Sequence, residues 1–135
     1  MNPTAATFTM VHCAETTAEA KRDAAESFEW YAQTGVKQIA TLGQWQAELR
    51  RDWNTYEYTK AIATLDTSHL TFDYLDSVGA CIVGDPVRCV EIAKRYKAAG
   101  CELLLCLVQP YKIPPEKVFR SIELLGRHVI PELEN

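Results

Sequence analysis

The chain has 135 residues, 47% of them apolar and 24% charged, with a formal net charge of −4 at pH 7. That balance belongs to an ordinary globular domain large enough for a real core, and it excludes a disordered polyelectrolyte. Lysine and arginine are scattered among more numerous acids, which excludes nucleic acid as an expected partner.

The first predicted element is a strand over 8–13 (FTMVHC), rich in β-formers. Thr16 and Glu19 then have capping-box spacing, and a helix is expected over 17–34. Ala20, Ala24, Phe28 and Tyr31 form its apolar face, and Gly35 is its expected stop. Residues 36–78 read as a helical insertion broken at Gly43, Asn54 and 66–68. It carries Trp45, Trp53, Tyr56, Tyr58 and Tyr74, which suits a lid, a local core or a subunit contact. Its last part, 71–78, is a short helix closed by Gly79.

The organising stretch is 81–108, read as strand, turn, helix, turn, strand. Asp85 is the expected N-cap and Pro86 the first helical residue, where a missing N–H costs nothing. Val90, Ile92, Ala93, Tyr96 and Ala99 recur at helical spacing, and Gly100 ends the helix as a C′ glycine. Residues 101–108 are almost continuously apolar, so this strand is expected to be covered on both faces in a parallel sheet. A loop at 109–113 leads to a last helix over 116–129, which Pro131 should stop. The pattern is a βα unit three times over, in one domain spanning 1–135, and the crossovers should be right-handed.

No P-loop, dinucleotide-binding glycine pattern, zinc-protease motif or nucleophile elbow is present. His12, His69 and His128 lack ligand spacing, so no metal is expected. Five cysteines with no C-x-x-C pair read as reduced core thiols, the sharper alternative being one reactive thiol at a strand end. No apolar run reaches the ~18 residues of a membrane span. The first residues lack the basic start and apolar core of a secretory leader, so a cytoplasmic location is expected.

In parallel α/β folds, ligands meet the carboxyl ends of strands. That rule selects three places. His12 and Glu15 stand where the first strand ends, and Cys106 and Gln109 where the last one ends, as pocket candidates. Gly84 and Asp85 open a helix whose free N–H groups and positive dipole end suit an anion, although Asp85 also serves as a cap.

Three ordered pieces carry a family resemblance: VHCAET at 11–16, before a helix closing on Trp30-Tyr31; VGDPVRCVEIAKRYKAAGCELLLCLVQ at 83–109; and IPPEKVFRSIELLGRHVIPEL at 113–133. Together they resemble the carboxyl-terminal part of the luciferase-like flavin-dependent monooxygenases. The resemblance implies a partial (β/α)8 TIM barrel, about three βα units of an α/β fold. It also implies FMN or a related flavin as cofactor, with oxygen used on a small organic substrate. A whole barrel takes ~250 residues, so about half would come from elsewhere. Pro110-Tyr111 stands where the family tends to place glycine near the flavin. The alternative is a non-catalytic half-barrel acting through a homodimer or a partner chain.

Overall fold

The computed structural model describes residues 4–49 and 66–134. Three parallel strands form one sheet: β1 (Ala6–Cys13), β2 (Cys81–Gly84) and β3 (Leu103–Leu107), in the order β2-β1-β3. The helices are α1 (Thr17–Leu49), α2 (Phe72–Ser77), α3 (Pro86–Ala98), α4 (Pro115–Leu124) and α5 (Ile130–Glu134). A 3-10 turn, Thr67–His69, precedes α2, and a π-helical turn, Leu125–Val129, joins α4 to α5. The chain is thus a mixed α/β fold on a parallel sheet.

The strand order departs from the barrel expectation. Consecutive staves of a barrel lie side by side in chain order, so β2 would be central. Here β1 is central: Val11 is in register with Ile82 of β2, and Phe8 with Leu105 of β3. This is the order of an open, doubly wound sheet. From β1 the chain steps outward to β2, then back across β1 to β3. Crossovers of one hand running in opposite directions put their helices on opposite faces.

Two apolar layers result. On one face Met10, Cys81 and Val83 pack with Ala20, Ala24 and Phe28 of α1 and with Phe72 and Leu75 of α2. On the other, Val11, Cys13 and Ile82 pack with Cys89, Ile92 and Ala93 of α3 and with Leu124 and Val129. The period-2 alternation of β1 assigns Met10 and Val11 to opposite layers. The face that a barrel would turn inward is therefore covered, not bare.

Several local expectations hold. The Thr16 hydroxyl accepts the Glu19 N–H at 3.2 Å and starts α1. Asp85 caps α3, its carboxylate accepting the Arg88 N–H at 3.0 Å and the Thr17 hydroxyl at 2.7 Å. Gly79 and Gly100 close α2 and α3 at φ 71° and 92°, where a Cβ would be strained. Asp85→Ala is expected to cost about 1 kcal/mol through the lost cap. Urea denaturation measures it, and an unchanged midpoint would overturn the capping role.

Others are corrected. Gly35 and Gly43 do not stop α1, which runs unbroken from Thr17 to Leu49. Glycine costs a helix only about 1 kcal/mol, too little to end one by itself. The insertion expected over 36–78 therefore begins as a continuation of α1. Trp45, 58% exposed, lies on that continuation outside the core. Trp53, Tyr56 and Tyr58 lie outside the described residues. Pro131 does not end the last helix either. The turn before it widens, with Ile130 N–H bonded to Leu125 O five residues back. That spacing accommodates a ring that removes one donor and crowds the carbonyl four back.

The third correction concerns β3. It is an edge strand, with Leu103 and Leu105 about half exposed, instead of a strand covered on both faces. Continuous apolar character signals burial only if neighbours exist on each side, and among the described residues β3 pairs with β1 alone.

Candidate functional site

A crevice of about 780 Å³ opens beside the carboxyl ends of β1 and β2. Its base is formed by the turns that leave those strands, Glu15 and Thr16 after β1, Asp85 and Pro86 after β2. Val87 and Val90 of α3 form one wall and Leu124 the other. Glu91, Lys94, His128 and Glu132 stand around them. The π-helical turn contributes to this lining through His128, a residue that sequence spacing alone did not connect with residues forty positions earlier. Widened turns of this kind recur at functional sites.

The sequence-derived candidates separate into two groups. Glu15 and Asp85 line the crevice. Glu15 is paired with the Arg120 guanidinium, which also holds Glu123. Asp85 has its carboxyl held below the usual range, first by the Arg88 N–H and then by the Thr17 hydroxyl. Because that carboxylate fills the start of α3, the expected anion site at Gly84 and Asp85 is occupied by the protein's own charge. Gly84 serves packing instead: a Cβ there would come within 2.6 Å of the Arg88 side chain.

His12, Cys106 and Gln109 lie elsewhere. Gln109 is exposed and donates its amide to the Ile113 carbonyl at 2.9 Å, bracing the loop after β3. Cys106 is exposed on β3, and burial of its thiol group still pushes its pKa up. His12 is buried beneath α1, 1% exposed, with its Nε2 3.9 Å from the Asp23 carboxylate. Its Nδ1 is buried without a partner. Burial lowers the His12 pKa, the Asp23 charge opposes that, and Lys117 adds to the lowering. The imidazole is thus held neutral in a cluster with Asp23 and Lys117, whose Nζ is 2.5 Å from Asp23 Oδ1.

The end of β1 is itself covered. Helix α4 crosses it, and the buried Ser121 hydroxyl accepts the Cys13 N–H at 2.8 Å. A ligand approaching the strand ends meets the crevice beside α4, not the last residues of β1. The buried Cys89 thiol donates to the Gly84 carbonyl at 3.5 Å, and the buried Cys13 thiol faces the Ala14 carbonyl. The neighbouring Cys89 side chain holds Cys13 below its usual range, while Cys13 and burial push Cys89 up. Burial pushes the Cys81 thiol up to about 12, as befits a core thiol. Among the described residues no cluster could hold a metal ion, and no helix is long and apolar enough to cross a membrane.

No protein-family model matches the chain, and no curated protein is similar to it at a significant level.

Proposed function

We propose that the chain is the carboxyl-terminal part of a luciferase-like flavin-dependent monooxygenase, supplying one wall of a site where reduced flavin and oxygen act on a small organic substrate. The supporting observation is the position of the crevice. Its base is made by Glu15-Thr16 and Asp85-Pro86, the same turns of VHCAET and VGDP that carry the resemblance. The residues present suit a flavin in outline. Val87, Val90 and Leu124 give an apolar wall for a ring system, and Lys94 and His128 are the basic groups around it for a phosphate. A bound flavin would supply the oxygen chemistry, while the protein binds, orients and excludes water.

Val87 is 70% exposed, so the wall stands in solvent and a second body must close it. In a barrel that body would bring the missing strands, and β3 would exchange β1 for β2 as its neighbour. A second reading, a non-catalytic module working by association, is favoured by the exposed edge of β3.

Co-expression with the amino-terminal βα units of a luciferase-like barrel tests the proposal. The chain alone should purify colourless. The complex should keep flavin absorbance through gel filtration, and Val87→Asp should remove the colour without dissolving the complex. Stoichiometric flavin on the chain alone would overturn the half-site. A stable but colourless complex would overturn the flavin reading in favour of the association module.

A further inference from the structure

We infer that the edge of β3 is a self-association surface, on which a second copy of this chain pairs its own β3 in antiparallel fashion across a two-fold axis. The inference is independent of flavin and rests on the edge alone.

Exposed edge strands are normally blunted by lysine, proline, a bulge or a covering loop. Leu103–Leu107 reads LLLCL and holds no charge and no proline. Among the described residues it ends the sheet, with β1 on one side of its backbone and no strand on the other. Apolar surface continues from it on both faces. On the α1 face, Leu103 and Leu105 are 48% and 51% exposed. Phe8, in register with Leu105, is as exposed as they are. On the other face, Leu104 and Cys106 border an apolar cavity of about 290 Å³ together with Ile122 and Ile130. An occupant must therefore bring a strand for the backbone and apolar side chains for both faces.

The strand is its own complement. A two-fold axis through Leu105 sets Leu103 of one copy opposite Leu107 of the other, Leu104 opposite Cys106, and Leu105 opposite itself. Directly opposed residues of antiparallel strands share a face, so every cross-strand pair is apolar. Glu102, the nearest charge, comes to lie opposite Val108. It is then about 20 Å along the strand from Glu102 of the second copy, so the net charge of −4 creates no like-charge pair at the seam. An unrelated protein would need a matching uncharged strand; a second copy always carries one. Two-fold dimers are also the commonest closed assembly, and here the result is a continuous six-stranded sheet.

The test uses the whole chain in two forms. By sedimentation the wild type should be a dimer at micromolar concentration, and Leu105→Lys, which sets lysine against lysine on the axis, should sediment as a monomer with an unchanged circular dichroism spectrum. Separately, Leu105→Cys in a Cys101→Ser, Cys106→Ser background should give a disulfide-linked dimer on mild oxidation, since opposed antiparallel residues lie within disulfide reach. Phe119→Cys in the same background, exposed on α4, should not cross-link. A monomeric wild type overturns the inference. So does a dimer that survives Leu105→Lys, and so does failure of Leu105→Cys to cross-link.

Discussion

Phe28→Ala is expected to lower the melting temperature by about 10–20 °C. Phe28 is completely buried on α1 and joins Met10, Val83 and Phe72 in one layer. Truncating a buried phenylalanine costs about 3–5 kcal/mol, through lost transfer energy and the cavity left behind. A domain holds only about 5–15 kcal/mol in total, and one kcal/mol moves the midpoint by a few degrees at this size. The residue also anchors α1 to this face of the sheet. Scanning calorimetry on Phe28→Ala and Phe28→Leu measures the effect. Leucine should recover more than half of it, because it refills most of the volume. Equal losses for both would show that ring geometry, not volume, sets the cost.

Lys117→Met is expected to cost about 2–3 kcal/mol at neutral pH, and more than Asp23→Asn. The Asp23 side chain is 4% exposed, whereas Lys117 is 38% exposed. Removing the lysine leaves a buried carboxylate with the exposed Arg22 guanidinium, 3.8 Å away, as its remaining cation, which is the expensive way to break a pair. Removing the aspartate leaves a lysine that can turn to water, so its cost is discounted.

The penalty should also depend on pH, with a definite sign. The folded-state pKa of His12 is lowered, chiefly by burial. The unfolded chain therefore binds this proton first. The corresponding stability is complete above about pH 6.5 and is lost as pH falls below it toward the folded pKa. Glu19 and Asp23 of α1 and Lys117 of α4 are the charged groups that act on the ring. In Lys117→Met one of the charges that lower the His12 pKa disappears, and a protonated His12 becomes a cation beside Asp23. The lysine penalty should thus shrink between about pH 7 and pH 5. Urea unfolding at several pH values measures it, and His12→Asn should flatten both trends. A penalty that stays constant over that range would mean that His12 and Asp23 do not communicate.

The local elements were legible in the residues themselves. Thr16, Asp85 and Pro86 marked helix starts because side-chain oxygens and a fixed φ act within three residues. Gly79 and Gly100 marked stops because only glycine tolerates those φ values cheaply. The run of β-formers in β1 and the helical spacing of Val90, Ile92, Ala93 and Tyr96 were equally local. So was the expectation of parallel strands with helices between them, which follows from three βα repeats. Gly35, Gly43 and Pro131 misled because a local signal is not a stop: glycine costs a helix only about 1 kcal/mol, and a π-helical turn makes room for the proline ring.

The order of the strands was not legible in this way, because each crossover can lead to either side of the sheet with the same local sequence. That order made β1 central and β3 an edge. It turned the apolar run LLLCL from a buried stave into exposed surface. It also divided the candidate residues. Glu15 and Asp85 share a crevice because both follow neighbouring strands, while His12, one position before the end of β1, points beneath α1 to Asp23. A strand reverses side-chain direction at every residue. Which direction meets solvent is set by helices packed from far along the chain.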